Sequence, residues 1–524
     1  MDTMPMLAFE SQEAELKEIL EGSGEEHRLT QGNGERREVE DRATWQMVKR
    51  YRASVMWSAF VGMAGINWGM DVLLSNGIIS VPAFQRDYGY MFENSYIISA
   101  SWQIAFNTAA SIGGFFGAIG SGYVVNKWGT KLTLAAACIV SIAAVYLQTF
   151  TMDMGLLMVG KLINGVTLGA FLTITSSYAA EVCPVEVRGL TTSGVQLFIG
   201  IGQLSANLII KATGTMESDL AYKIPFSLQF IFPVLLLIGL PFCPESPWFL
   251  ARSNQNAKAI STLARLGHLS PEQSLAEIAL IINHERQKLS STSYLDCFKG
   301  SDLRRTEIAM GIFSVAQLTG VGFVVGYSSY FFELAGLSAS HAFSLSVGVT
   351  VLGLVGVVCS WFLINRAGRR PTSLYGTAFL SLLLFLIGIL DVIPGHHERS
   401  VIYGQVTCII LFAFVYLMTI GPMGWTLFAE ISSPRLRSRT VGLGIVVQNS
   451  FGVLMNIIVP LLISPDAANL RGKIGFIFGV TSGMSVYWIW ARVPETAGRR
   501  FEELNWLFEK DIPARRFKDY DVLI

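Results

Sequence analysis

The stretch NKWGTK at residues 126–131 returns as NRAGRR at residues 365–370, with the asparagine, the glycine and the last basic residue in register. Two further segments repeat in the same order. The stretch from Glu181 to Arg188 around Pro184 returns from Glu430 to Arg437 around Pro434, and Pro244-Glu245-Ser returns as Pro494-Glu495-Thr. The offsets are all about 240 to 250 residues, which indicates an internal duplication. Three ordered pairs predict two parallel half-repeats with a solute site between them.

Apolar runs long enough to cross about 30 Å of hydrocarbon surround these motifs in two series of six. The first series is 54–76, 97–122, 131–150, 154–179, 190–210 and 225–243, and the second is 307–332, 342–364, 372–393, 402–428, 441–463 and 473–492. The 524 residues are 51% hydrophobic and only 15% charged, which is typical of membrane proteins. We predict an all-α polytopic membrane protein with 12 transmembrane helices in two pseudo-symmetric six-helix bundles.

The predicted organisation has five parts: an N-terminal tail 1–52, a six-helix bundle 53–243, a central loop 244–305, a second six-helix bundle 306–493 and a C-terminal tail 494–524. Lysine and arginine concentrate in the short loops on one side, together with both tails and the central loop. Because basic loops stay on the cytosolic side of a membrane, both termini are predicted to be cytosolic.

Several classes of function are not indicated. A formal net charge of zero provides no basic field for nucleic acid. The six cysteines are scattered singly, and His396-His397 is an isolated pair in a predicted outer loop. We find no phosphate-cradling loop, metal-ligand cluster or nucleophile-base pattern, so neither an enzyme nor a bound cofactor or metal is predicted.

Further motifs extend the pattern to most of the chain. They include Gly160-Lys161 with Gly165 and Gly169, Tyr178-Ala-Ala-Glu181-Val-Cys-Pro184, Pro244-Glu-Ser-Pro-Trp-Phe-Leu250 and Pro494-Glu-Thr-Ala-Gly-Arg499. With these motifs the sequence resembles the sugar porter family of the major facilitator superfamily across about residues 50 to 520.

Within that family, three segments look most like the fungal α-glucoside (maltose-type) permeases. They are Gly326-Tyr-Ser-Ser-Tyr-Phe-Phe-Glu-Leu-Ala-Gly336, Ile224-Pro-Phe-Ser-Leu-Gln229 and Pro513-Ala-Arg-Arg-Phe517. The resemblance implies a proton symporter of the plasma membrane that takes a small-molecule sugar or glycoside. We expect a monomer in the lipid bilayer, with protons as a second candidate partner.

A sugar site needs amide side chains that donate and accept hydrogen bonds, and an aromatic face. The resemblance places substrate-binding residues at Gln196, Gln317, Trp425 and Gln448. Ala316 and Gly322 stand where the family carries further amides, which implies a wider or differently lined pocket. For Gln196, a hydrogen bond between helices is the alternative interpretation. Asn456 and Tyr327 are further polar residues inside spans without an equally sharp match.

Asp71, in Trp68-Gly69-Met70-Asp71, is the one carboxylate that clearly lies within a span of the first half. A charged group in the bilayer interior costs several kcal/mol unless it is paired, hydrated or protonated, so it is a functional candidate. The resemblance implies a role in proton coupling. Trp68 and Gly114 stand where maltose-type permeases carry further acids. A helix-packing role for Asp71 therefore stays open, as does facilitated transport.

The resemblance also implies a cytosolic gate of ion pairs at span ends, formed by Glu181, Arg188, Glu245, Glu430, Arg437 and Glu495. Asn126, Asn365, Lys161 and Trp248 replace charged or longer groups in these motifs, so we expect a thinner network than is usual. Arg binds a carboxylate with two hydrogen bonds and Lys cannot. The substitutions therefore predict a bias toward inward-facing states.

The function expected from the sequence is secondary transport of a sugar, an α-glucoside or other oligosaccharide, by alternating access with proton symport. Two alternatives stay open. One is a facilitator or exporter of another polyol, glycoside or secondary metabolite. The other is a nutrient sensor that moves no solute, although such sensors often carry longer tails than the final stretch of about 30 residues here.

Overall fold

The computed structural model describes residues 49–92, 95–183, 185–268, 270–289, 294–393, 399–431, 437–496 and 501–520. Two compact units divide the chain, Met1–Arg50 and Tyr51–Ile524, and every element below belongs to the second. The predicted tail 1–52 lies almost entirely outside the described residues, as does the His396-His397 pair. The domain boundaries predicted from the sequence stay predictions.

The first half consists of long helices joined by short turns. Its helices are α1 (Arg52–Gly77), α2 (Pro82–Tyr88), α3 (Ala100–Trp128), α4 (Thr130–Phe150), α5 (Met154–Val182), α6 (Val185–Thr213), α7 (Leu220–Leu228) and α8 (Ile231–Gly239). A short antiparallel hairpin, β1 (Tyr90–Phe92) and β2 (Ser95–Ile97), pairs Met91 with Tyr96. Helices α7 and α8 together replace the continuous sixth span that the sequence predicted.

The second half repeats this arrangement after the central segment. Its helices are α12 (Gly300–Leu318), α13 (Ser328–Leu334), α14 (Ala339–Ala367), α15 (Arg369–Val392), α16 (Arg399–Met418), α17 (Ile420–Ile431), α18 (Arg437–Ile463) and α19 (Ile474–Arg492). The predicted seventh span is interrupted, because α12 ends at a turn around Gly320 and a π-helical segment, Gly322–Gly326, precedes α13. The predicted tenth span is divided between α16 and α17.

Ten helical segments in the described part of the chain are long and apolar enough to cross a membrane. The first predicted span, α1, is not among them because buried polar residues such as Asn67, Asp71 and Ser75 lower its hydropathy. The seventh, from α12 to α13, is not among them because it is interrupted. Both lie inside the bundle, where a neighbouring helix can satisfy polar groups, as Lys161 of α5 does by donating to Asp71 and Ser75. Together with the ten, they complete the twelve predicted helices.

The segment between the halves is helical rather than an open loop. It contains α9 (Pro247–Arg252), α10 (Asn256–Arg265) and α11 (Pro271–Leu289), which pack through their own apolar core. Beyond the last span, α20 (Phe501–Glu509) and a short 3₁₀ turn (Ala514–Asp519) cover the start of α12. Arg304 holds this segment by donating to Asp511 at 3.2 Å and to the carbonyl of Ile512 at 2.7 Å.

The repeated motifs make the same contacts in both halves. Glu245 accepts hydrogen bonds from the backbone N–H groups of Thr130 (3.0 Å) and Lys131 (3.3 Å). Glu495 accepts them from Arg369 (2.9 Å) and Arg370 (3.2 Å). Each carboxylate therefore occupies the N-terminus of a helix, where unpaired N–H groups and the helix dipole favour an anion. The structure confirms the internal repeat.

Each of these helices follows a glycine in the same unusual backbone conformation. Gly129 has φ 86° and ψ 170°, and Gly368 has φ 86° and ψ 171°. Only glycine adopts this region without strain. The two turns lie at the same end of the bundle as the central segment. We call this end the motif side and the opposite end the far side.

Small residues allow the helices of the first half to approach closely. Helices α3 and α5 cross at Gly113, Gly117, Gly165 and Gly169, and an added Cβ at any of these positions would collide with the backbone of the other helix. Close backbone contact of this kind supplies much of the packing energy between membrane helices. It also places α5, with Lys161 and Asn164, against the centre of the first half.

Candidate functional site

Two of the sequence-predicted sugar residues meet across the two halves. The indole nitrogen of Trp425 on α17 donates a hydrogen bond to Gln196 Oε1 on α6 at 3.3 Å. Trp425 also packs edge-on against Phe313, with ring centroids 5.4 Å apart. Both Gln196 and Trp425 are half-buried. Among the described residues only the oxygen of Gln196 is used, so its amide N–H₂ stays available to a solute.

Gln317 and Gln448 belong to helices that flank this contact. Gln317 lies in the last turn of α12, and Gln448 lies in the middle of α18. Helix α12 packs against both α18 and α17, the helix that carries Trp425. Both glutamines are half-buried, and neither side chain forms a hydrogen bond with the described residues. Their amides can therefore bind a solute without breaking a protein contact.

A second group of polar contacts between the halves was not predicted from the sequence. Asn107 on α3 donates to the hydroxyl of Tyr327 at 2.6 Å, and both side chains are buried. Asn456 on α18 donates to Ser111 Oγ at 2.8 Å and to the carbonyl of Asn107 at 3.2 Å. The sequence had named Asn456 and Tyr327 without a role and had passed over Asn107. Its signal was an amide within an apolar span, four residues after Gln103.

Asp71 forms a buried ion pair with Lys161. Lys161 Nζ lies 2.7 Å from Asp71 Oδ1, and the two side chains are 0% and 2% exposed. Lys161 also donates to Ser75 Oγ at 2.6 Å, and Asn164 donates to the same Asp71 oxygen at 3.1 Å. The ammonium lies 5.1 Å from the ring centre of Phe106, close enough for a cation–π interaction.

This contact corrects the placement of Lys161. The sequence analysis counted Lys161 among the changes that thin the gate, but the structure places it inside the first half against Asp71. A buried carboxylate that keeps its charge needs a partner, and the lysine provides it. The available signal was a lysine within the apolar fourth span, three residues before Asn164.

The predicted gate residues divide into two groups. The side chains of Arg188, Glu430 and Arg437 lie outside the described residues. Glu245 and Glu495 cap helices, as described above, and Glu181 accepts a hydrogen bond from the hydroxyl of Ser246. These described contacts lie within one half each. Ion pairing across the halves at the motif side therefore stays a prediction.

A family model described as "Sugar (and other) transporter" matches residues 57–508. The general α-glucoside permease of Saccharomyces cerevisiae is 33% identical over 483 residues, which cover 90% of this chain and 78% of the permease. A maltose permease of the same yeast is 33% identical over 487 residues, covering 91% and 79%. This chain belongs to the sugar transporter family.

Solved structures agree on the fold. The proton:xylose symporter XylE of the major facilitator superfamily, bound to 6-bromo-6-deoxy-D-glucose, superposes with a TM-score of 0.71 at 22% identity, covering 87% of this chain and 98% of that one. An inward-open form of the xylose transporter from E. coli superposes with a TM-score of 0.69 at 19% identity, covering 86% and 98%. The fold of this family member is the major facilitator fold, with its two six-helix bundles.

The polar groups between the two halves of this sugar transporter differ between the middle of the bundle and the far side. Near the middle of the bundle they leave amide groups unused, at Gln196, Gln317 and Gln448. Toward the far side, Asn107 donates to the Tyr327 hydroxyl and accepts from Asn456 at its backbone carbonyl, so polar groups of the two halves bind each other. A polar solute therefore finds free hydrogen-bonding groups at the middle. To pass the far side, it must break existing contacts.

Proposed function

We propose that this protein carries an α-glucoside across the membrane by alternating access, coupled to protons. The named yeast relatives are an α-glucoside permease and a maltose permease, and they match along most of the chain. The observation that supports the proposal best is the hydrogen bond from Trp425 to Gln196, because it joins one half to the other with an aromatic face and an amide. Those are the groups that a sugar needs.

The proposed sugar site lies between α6, α12, α17 and α18. Gln196, Gln317 and Gln448 provide amides for the hydroxyl groups, and Trp425 provides a flat surface for the C–H face of a sugar ring. When the halves rock, Gln196 moves relative to Trp425. A bound sugar that replaces their mutual hydrogen bond therefore loosens one contact between the halves as it binds.

Proton coupling is proposed to act on the Asp71–Lys161 pair. A proton on Asp71 removes the negative charge that stabilises Lys161, which keeps Ser75 and the rings of Phe106 and Phe226 as neutral partners. Removing the charge of one partner of a buried ion pair costs about 3 to 5 kcal/mol. That energy is enough to shift the balance between two conformations of the bundle. Protonation of Asp71 would thus change which side is open.

The proposed location is the plasma membrane, with the motif side and both termini in the cytosol and the protein as a monomer. The basic residues of the motif loops support this orientation, including Lys127, Lys131, Arg366 and Arg370. In this orientation the far side is extracellular. Its contacts between the halves support the inward-facing bias that the sequence predicted from Asn126, Asn365 and Trp248.

A panel of uptake measurements tests this proposal against its alternatives. The purified protein in proteoliposomes is given labelled maltose, a longer α-glucoside, glucose or a glycoside whose aglycone is not a sugar. The proposal expects saturable uptake of the α-glucosides. Transport of the last glycoside alone would favour a carrier of another glycoside or secondary metabolite, and binding of maltose without any uptake would favour a sensor.

A further inference from the structure

A carboxylate of the second half binds the first half at the far end of the bundle. Asp466, on the turn between α18 and α19, accepts a hydrogen bond at Oδ2 from the backbone N–H of Ala100 at 3.1 Å. The same oxygen accepts from the hydroxyl of Tyr90 in β1 at 3.2 Å. Ala100 and Tyr90 both belong to the first half. We call these three residues the outer latch.

In the outer latch, Asp466 caps a helix of the opposite half. Ala100 is the first residue of α3, and the N–H groups of a first turn have no partner within their own helix. Ser99 takes one of them by accepting from the N–H of Trp102 at 3.4 Å. Asp466 takes another from across the interface. The helix dipole also favours an anion here, so this contact is stronger than a hydrogen bond between neutral groups.

The turn that carries Asp466 is folded tightly onto its own half. The backbone N–H groups of Ala468 and Leu470 donate to the carbonyls of Leu461 at 3.0 Å and Leu462 at 2.8 Å, in the last turn of α18. Asn469 closes the turn with φ 47°, a conformation that asparagine tolerates better than most residues. Asp466 therefore moves together with α18, and any separation of α18 from the start of α3 must break the outer latch.

The outer latch continues a seam between α3 and α18. Further along α3, Ser111 accepts a hydrogen bond from Asn456 of α18 at 2.8 Å. Ala100 and Ser111 are 11 residues apart, so the two contacts span about 16 Å along the helix. Their partners, Asp466 and Asn456, are ten residues apart on a chain that runs in the opposite direction. The outer latch therefore closes the far end of this seam.

We propose that Asp466 is a positioning residue that keeps the far side closed by holding the N-terminus of α3 against the second half. The inference rests on the alternating access proposed above, in which the halves part at the far side to admit a sugar. Parting separates Asp466 from Ala100 and Tyr90 and returns these polar groups to water. Because the carboxylate binds this helix end only while the far side is closed, it stabilises the closed state alone.

The outer latch is also built to release. Asp466 forms no ion pair in the described part of the chain, so opening breaks only hydrogen bonds. Its second oxygen, Oδ1, is buried without a hydrogen-bond partner among the same residues. Water reaches this oxygen when the halves part, which offsets part of the loss at Oδ2. The contact therefore favours closure without locking it.

The rate of cysteine labelling at the far-side interface tests this proposal without any sugar. Ser329 of α13 is buried and its hydroxyl accepts from Ser80, just after α1, at 3.5 Å across the halves. Ser329→Cys is made in a protein whose half-buried Cys359 and Cys408 are alanine, and a soluble maleimide is added. When opening is faster than labelling, the rate follows the open population. In Asp466→Ala we expect it to rise about tenfold, the effect of losing a charge-assisted hydrogen bond. Asp466→Asn, whose amide oxygen still accepts, should raise it less.

Asp153→Ala is the matched control. Asp153 also caps a helix at the far side, but it accepts from Gly155 (2.6 Å) and Leu156 (3.2 Å) of α5 in its own half. Its loss should lower thermal stability and leave the labelling rate of the Ser329→Cys protein unchanged. The natural Cys138, buried in the core of the first half, reports unfolding and should stay unlabelled in every variant.

The outcomes separate the outer latch from the proposed function. An unchanged labelling rate in Asp466→Ala and Asp466→Asn would overturn the proposal, and so would an equal rise in Asp153→Ala or a rise that Cys138 shares. Where the sugar is transported, the KM for sugar presented to the far side should fall by up to the same factor, because more molecules can bind it. A faster labelling rate in a protein that transports no maltose would support the outer latch and contradict the proposed function.

Discussion

The indole N–H of Trp425 and the amide oxygen of Gln196 lie 3.3 Å apart and connect the two halves of the molecule. One residue belongs to α17 and the other to α6, in bundles that move against each other in alternating access. In the proposed transport cycle this hydrogen bond breaks or is exchanged for a sugar hydroxyl. The proposal therefore gives it a role both in sugar binding and in the change of conformation.

Trp425→Phe should weaken sugar binding while keeping an aromatic ring. It removes the indole donor and part of the aromatic surface, so we expect the KM for the transported sugar to rise by at least about two- to tenfold, the effect of losing one neutral hydrogen bond. Gln196→Ala should raise it more, since it also removes a sugar contact. Expressed as free energies, the increase in KM of the double variant should be smaller than the sum of the increases of the two single variants, because the two residues share one hydrogen bond.

Gln148→Ala is the matched control for Gln196→Ala. Gln148 is buried within the first half and donates to the carbonyl of Gly160 at 3.3 Å, away from the other half. Its loss should lower thermal stability and leave KM unchanged. Equal increases in KM for both glutamine variants would mean that Gln196 acts through stability rather than at the sugar site.

Lys161→Met should destabilise the protein strongly. It leaves Asp71 as an unpaired buried charge, and removing one partner of such a pair costs about 3 to 5 kcal/mol. Thermal unfolding in detergent measures the loss. The double variant Asp71→Asn with Lys161→Met should recover much of the stability. If both single variants and the double variant unfold at the same temperature as the parent protein, the pair is not the buried interaction described here.

Tyr327→Phe should weaken the far-side contact of the halves. It leaves the Asn107 amide without its partner at 2.6 Å, at a cost of about 1 to 3 kcal/mol. Tyr416→Phe is a control, because Tyr416 is also buried, stacks on Phe412 and forms no side-chain hydrogen bond with the described residues. Thermal stability should fall in the first variant only. A similar fall in both would assign the effect to ring packing.

Gly129→Ala and Gly368→Ala should destabilise the two halves equally. Both glycines have φ 86°, and a Cβ at either would press against the capping carboxylate of Glu245 or Glu495. A non-glycine residue in this backbone region costs about 1 to 3 kcal/mol. Gly120→Ala, where a Cβ meets nothing within 4 Å, is the control. Unequal effects at Gly129 and Gly368 would argue against the structural equivalence of the repeats.

The sequence predicted the architecture well because three motifs repeat at nearly constant offset. In each half a glycine is followed directly by a helix whose first N–H groups bind a glutamate. The contacts of Glu245 and Glu495 show that these local features produce the same turn in both halves. It also identified Gln196 and Trp425, which the structure brings together. It did not predict the interruption at Gly320, since the apolar run continues across it.

Contacts between distant residues could not be read from the sequence. Lys161 lies 90 positions from Asp71, and Asn107 lies 220 positions from Tyr327. Neither spacing has a period that a helix pattern would display. Burial of these groups depends on how the halves pack.

Accumulation of labelled maltose in proteoliposomes, with and without an acid-outside pH gradient, distinguishes proton-coupled transport of an α-glucoside from the alternatives. We expect the protein to concentrate maltose above its outside level only when the gradient is present. Asp71→Asn should still exchange maltose but should not concentrate it. Proton-coupled maltose transport through Asp71 would be wrong if Asp71→Asn concentrated maltose as well as the parent protein, or if the parent protein moved no maltose under either condition.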